Sequence, residues 1–372
     1  MVMDDLSAHS NASPVLTDIP RFEHQLEPAY GYERQPHPPI RLRPLNVGLF
    51  LLTLLTTTMA GADSAGAPVL LGVPASLPNL VAGLSFSIPL MLILFAHEMG
   101  HYLTSRRYGV DSSLPYFIPA PFPLLFPYAP MLLPLLPLIS TFGAFIRMRR
   151  PPHTRREMFD IGAAGPWAGF AVAVIATAIG LTRSQVTPLD TSQGGLFLGN
   201  SMLFWGVSRV VLGIDPNSVN VNVHPIALAG WIGLLVTAIN LLPVGQLDGG
   251  HVVYSLLGGR WHRVVSRTAW IGCGLMGLVP YLLHLSFWGG WFLWFVLLIG
   301  LGLGHPATSD TDMPLKGSRK IAAWATIVLF VVTFIPVPVS LVQPSGPPPG
   351  QEGQTYNVLQ PGRQLTHPWH RL

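Results

Sequence analysis

The sequence predicts an all-α polytopic membrane protein with six to seven transmembrane helices and a proline-rich re-entrant segment. Three observations lead there. Charged residues make up only 10% of the chain, against about 25% in a soluble domain. Hydrophobic residues make up 49%, and the mean hydropathy is +0.45. Such a chain cannot coat a water-facing surface, so much of that surface must meet lipid. The arginines cluster between apolar runs, as cytosolic anchors of membrane helices do.

The elements follow in order. Residues 1–44 are polar, rich in proline and acids, and have no helical or strand period. They read as a disordered cytosolic tail with no cleavable signal peptide. A crossing needs about 20 apolar residues in a helix. The runs 46–62, 77–103, 159–181, 225–242, 268–285, 287–303 and 321–342 are the candidates. The run 196–212 is short and carries Arg209, so it reads as lying at the surface. Residues 114–139 hold too many prolines for a regular helix and are too apolar for a solvated loop. They read as a re-entrant or interfacial segment, because irregular backbone at membrane depth must be buried or line a watery cavity. Residues 141–148 read as a short extended element, either a simple connector or an edge to which a substrate strand could add. Gly162, Gly165 and Gly169 open one of the spans and would let a neighbouring helix approach closely. Residues 45–342 thus form one membrane body, and 343–372 read as a second disordered tail.

Arginine placement sets the orientation. Arg41 and Arg43 precede the first span, Arg106 and Arg107 follow the second, and Arg147 to Arg156 precede the third. Arg260, Arg263 and Arg267 follow the 225–242 run, and Lys316, Arg319 and Lys320 precede the last. All fall on one side if 196–212 does not cross, which puts the N-terminus in the cytosol. No basic face is interleaved with aromatics, so no nucleic-acid partner is expected. Cys273, the single cysteine, excludes a disulfide framework and a cysteine-based zinc cluster.

The chemistry begins at His97-Glu98-Met99-Gly100-His101. Residues i and i+4 share a helix face, so both imidazoles can grip one zinc ion. Glu98 can take a proton from water activated there. An ionised glutamate behind the apolar run LSFSIPLMLILFA is costly in lipid and marks function. If Arg106 and Arg107 mark the interface, His101 and His97 lie about 7.5 and 13.5 Å below it, at about 1.5 Å per residue.

A catalytic zinc site takes three protein ligands. Asp248 is the one carboxylate between Asn217 and Ser309, which makes it the third-ligand candidate over a role as helix cap. His251, three residues on, reads as a supporting group. Gly249 and Gly250 would let the backbone bend tightly after the ligand, and Pro243 would break the span before it. Asn240 could hold a substrate backbone or developing oxyanion, or make an interhelical hydrogen bond. His224, His284 and His305 read as interfacial.

HEMGH (His97 to His101) and NLLPVGQLDGG (Asn240 to Gly250) together resemble the site-2 protease family of intramembrane metalloproteases. LPYFIPAPF, STFGAFIRMR and FDIGAAGP resemble its bacterial and plastid branch, and 181–225 is too short to hold the PDZ domain many members carry. The resemblance implies one Zn2+ per chain on His97, His101 and Asp248, with Glu98 as base and Asn240 lining the substrate site. It implies a transmembrane protein substrate and a multi-pass location, read here as the bacterial inner membrane. A zinc-binding scaffold or transporter is the alternative, although few polar residues line successive spans. A protease of prenylated C-termini would want a glutamate as third ligand, and none lies between Glu157 and Glu352. Substrate identity and oligomeric state stay open.

Overall fold

The computed structural model describes residues 42–65, 77–120, 139–188, 195–283, 288–309 and 313–342. The expected tails at 1–41 and 343–372, and most of the re-entrant segment (121–138), lie outside them. The chain is mostly helical. Helix α1 (Pro44–Ser64) precedes α2 (Leu77–Arg107), strands β1 (Tyr116–Pro119) and β2 (Thr141–Phe145), and α3 (Arg155–Leu181). Strands β3 (Gln185–Pro188) and β4 (Gly195–Leu198) lead to α4 (Met202–Leu212) and β5 (Val219–Asn222). Then come α5 (Pro225–Asn240), α6 (Asp248–Leu257), α7 (Gly259–Leu282), α8 (Gly290–Leu301), α9 (Ser318–Thr333) and β6 (Val339–Val342). Among the described residues, α1, α2 and α3 are long and apolar enough to cross a membrane.

Helix α5 is apolar all round and buried on nearly every side, the signature of a central helix. It packs between α2 and α3, where Leu90, Ile93, Ala173, Trp231, Leu234 and Leu235 are buried. Small residues let the backbones close in. A Cβ on Gly233 would come within 2.8 Å of Ile93, and one on Gly180 would strike the Ala227 backbone. The outward faces tell the other half: Leu55, Leu92, Ile175, Leu282, Val296 and Val328 are all exposed. Apolar exposure on that scale suits lipid, not water.

Three expectations change in detail. The run 196–212 divides into β4 and the 11-residue α4. The run 321–342 stays helical only to Thr333. Pro336 and Pro338 lack the N–H that would extend it, and β6 instead pairs antiparallel with β4. Within 114–139, Tyr116–Pro119 is a strand, paired antiparallel with β2.

That hairpin is moored to α1 at both ends. Asn46 donates to the Pro115 carbonyl at 3.0 Å, and the Thr56 hydroxyl donates to the Ser140 carbonyl at 2.9 Å. Phe50 meets Phe117 edge to face.

Arg155, expected as a surface anchor, is buried. Thr154 caps α3, accepting from the Glu157 N–H at 3.2 Å. Arg155, just inside, donates to the carbonyls of Ser255 (3.0 Å) and Tyr254 (3.3 Å). Both carbonyls lie in the last turn of α6, where that of Tyr254 also accepts the Gly258 N–H at 2.8 Å, so Arg155 fixes α6 against α3. Arg155→Met should lower stability by about 1–3 kcal/mol, since it takes the guanidinium donor from the Ser255 carbonyl. The exposed Arg156→Met should stay within about 0.5 kcal/mol of wild type. Melting midpoints in one detergent check both. At the same end of the bundle Arg319 of α9 grips the Asp160 carboxylate through Nε and Nη2, at 3.0–3.1 Å. The Tyr108 hydroxyl donates to that carboxylate, so α2, α3 and α9 meet there.

Candidate metal centre

Helix α2 carries His97, Glu98 and His101 in its last three turns, all less than 9% exposed. The imidazoles lie on one face, with Nε2 atoms 3.1 Å apart. Asp248 Oδ2 is 3.3 Å from each. Helix α5 ends at Asn240, the turn around Pro243 reverses the chain, and α6 opens at Asp248. Leu247 occupies the cap position and makes no side-chain cap bond. The Asp248 carboxylate therefore turns to the histidines instead of capping its helix. Among the described residues, these three form the one group of three or more His, Cys, Asp or Glu side chains close enough to share an ion.

The triangle fits zinc. Tetrahedral bonds of about 2.0–2.1 Å put ligand atoms about 3.3–3.4 Å apart, close to the 3.1–3.3 Å seen. The tautomer fits as well. His101 Nδ1 is 2.7 Å from the Ile161 carbonyl, which can only accept. Nδ1 therefore carries the proton and donates, leaving the Nε2 lone pair toward the triangle. Imidazole lone pairs and a carboxylate oxygen aimed at one point repel each other unless a cation lies between them.

The glycines of α3 make room for this, as their spacing predicts. A Cβ on Gly165 would fall on the His101 ring, one on Gly169 within 3.0 Å of His97 Cβ, and one on Gly162 within 2.9 Å of His251 Cβ. From the other side, a Cβ on Gly100 would reach 2.5 Å from the Ala164 carbonyl. Gly249 and Gly250 serve differently from the expected bend. Both lie in the first turn of α6, outside the left-handed region. A side chain on Gly249 would strike the Leu241 carbonyl, and one on Gly250 would come within 2.9 Å of the Val244 carbonyl. They are small so that α6 can rest on the loop before it.

Asn240 is drawn in, with Nδ2 3.3 Å from His97 Nε2. The backbone of Ile146, just past β2, lies near the Glu98 carboxylate, which sets the hairpin beside that carboxylate. His251 is outside the triangle. Its Nδ1–H donates to His305 Nε2 at 2.8 Å, because His305 Nδ1 already donates to the Pro306 carbonyl at 2.7 Å. His305, expected as interfacial, is thus partnered, and it stacks on Tyr254 at 4.2 Å. His224 caps α5, accepting from the Ile226 N–H. His284 lies outside the described residues.

The fold and site define a membrane-embedded protein with a two-histidine, one-carboxylate centre, and the sequence comparisons agree. Residues 85–283, which contain both motifs, match Peptidase family M50. The chain belongs to that family. It is 26% identical over 293 residues to the probable zinc metalloprotease EGY2, chloroplastic, of Arabidopsis thaliana, covering 78% of this chain and 47% of that protein. It is 32% identical over 272 residues to the probable zinc metalloprotease EGY1, chloroplastic, of the same plant, covering 70% and 44%. The chain spans a little under half the length of these relatives. Family and apolar helices make it an integral membrane protein. The relatives' chloroplastic names lend no support to the expected bacterial inner membrane.

Proposed function

We propose that this chain is an intramembrane zinc metalloendopeptidase that hydrolyses peptide bonds of membrane-spanning proteins. The observation that carries the reading is the His97–His101–Asp248 triangle, with Glu98 beside it, at the end of a 31-residue apolar helix. A zinc ion held by those three residues supplies a Lewis acid that acidifies water and polarises a carbonyl. Glu98 takes the proton of the attacking water and delivers it to the leaving amine. Asn240 turns its amide toward the same space and holds the substrate backbone or its oxyanion. A substrate helix must unwind locally to expose its carbonyls, because helical hydrogen bonds occupy them. An extended segment laid alongside β2, which leads to Ile146 and so to Glu98, would find backbone partners by strand addition.

Seven crossings fit the elements: α1, α2, α3, α5, α7, α8 and α9, in one body over 45–342 with a cytosolic N-terminus. The β4–β6 pairing supports this, because it puts the end of α9 on the same side as the 182–224 connection. Metal removal tests the function. In membranes containing the chain, cleavage of membrane-protein substrates should stop with a zinc chelator and return with added Zn2+. Cleavage that persists in metal-free protein would contradict the reading.

A further inference from the structure

Asp248 reaches the histidines from a seven-residue turn, 241–247, and something must hold that turn in place. The turn has few hydrogen bonds of its own, the main ones being Val244 N–H to Leu242 O and Leu247 N–H to Val244 O. Its Gly245 is left-handed (φ 55°), and a Cβ there would strike the Gly302 carbonyl. The Gly245 backbone is gripped from outside on both polar sides. Its N–H donates to Ser266 Oγ at 3.0 Å, and its carbonyl accepts from His262 Nε2 at 3.0 Å. Ser266 passes its own proton to the Leu303 carbonyl at 2.9 Å. His262 and Ser266 are four residues apart on α7, share a face, and are both fully buried.

We propose that His262 and Ser266 are positioning residues for the metal centre: a buried clamp on the Gly245 backbone that sets where Asp248 enters it. The proposal rests on the reading of Asp248 as a ligand. Gly245 is three residues from Asp248, a reach of at most about 10 Å. The link to α6 is also direct, because Gly250, in the first turn of that helix, packs on the Gly245 carbonyl. One carbonyl thus lies between His262 and the helix that presents Asp248. Histidine is an odd choice for a core residue here. Its Nδ1 is a buried acceptor with no hydrogen-bond partner among the described residues, the ring lies edge-on to Tyr254 and His305, and Nε2–H makes its one hydrogen bond, to Gly245. Outer groups that hold a ligand in place govern affinity for the ion without touching it.

The test is zinc affinity of the full-length protein in detergent, measured by competition between Zn2+ and a fluorescent chelator. Ser266→Ala and His262→Leu should weaken zinc binding about 10–100-fold. Ser266→Thr keeps the hydroxyl, and His262→Gln places an N–H at the reach of Nε2. Both should stay within about threefold of wild type. Cys273→Ala, a buried change further along α7, should leave affinity unchanged while lowering the melting midpoint of the metal-free protein. A midpoint loss without an affinity loss in Ser266→Ala and His262→Leu would mark them as packing residues and overturn the clamp. Failure of the wild-type protein itself to bind Zn2+ would overturn the ligand reading beneath it.

Discussion

Glu98→Gln should keep one zinc ion per chain and lower turnover by about 10²–10⁴-fold, the range for losing a positioned general base. The amide matches the carboxylate in shape, so the buried pocket keeps its packing. It cannot accept the proton of the attacking water, and it has none of the acid needed by the leaving amine. Zinc stays because Glu98 is not part of the His97, His101 and Asp248 triangle. Two measurements on one preparation separate the roles: zinc content, and cleavage of a membrane-spanning reporter. The inactive variant should also retain uncut membrane proteins, which would identify substrates. Full turnover in Glu98→Gln would favour a zinc-binding scaffold whose cleavage arises elsewhere.

Gly165→Ala should cost the protein its zinc. Two effects oppose one another. Alanine is better than glycine inside a helix by about 0.5–1 kcal/mol, which favours the variant. Against this, the new methyl would occupy the place of the His101 ring. The ring must swing away, which breaks its bond to the Ile161 carbonyl and removes one of three ligands. Losing a group that merely supports a ligand costs about 10–100-fold in affinity, and displacing the ligand itself should cost at least as much. The steric effect wins. Gly206 in α4 is the control, since a Cβ there meets nothing within 4 Å. Gly206→Ala should bind zinc normally and gain about 0.5–1 kcal/mol in stability. Zinc stoichiometry and melting midpoints of the two variants check the contrast.

What the sequence could reveal follows from how local each signal is. His97 and His101 are legible because helical spacing alone puts i and i+4 together. Asp248 is legible by scarcity, being the lone carboxylate in a long apolar stretch. The Gly162, Gly165 and Gly169 stripe shows where a helix must come close, though not that the neighbours would be the metal-site histidines. Arg155 was out of reach. It stands beside Arg156 in a basic turn, and only the end of α6, about 100 residues later, makes one buried and leaves the other exposed. His262 and Ser266 sit likewise among arginines, in a stretch that reads as a cytosolic turn. His305 gains its role from His251, on a helix 54 residues earlier. One signal was visible and outweighed: Pro336 and Pro338 mark the early end of the last helix, inside a run whose hydropathy continues to Val342.

The most direct test of the central claim is zinc K-edge X-ray absorption on the purified, full-length protein. The structure predicts a first shell of nitrogen and oxygen at about 2.0–2.1 Å, with outer-shell scattering from two imidazoles and no more. Asp248→Ala should lose the ion at zinc concentrations that saturate the wild type. A third imidazole, a sulfur neighbour from Cys273, or an unchanged shell in Asp248→Ala would show that these three side chains do not share one ion.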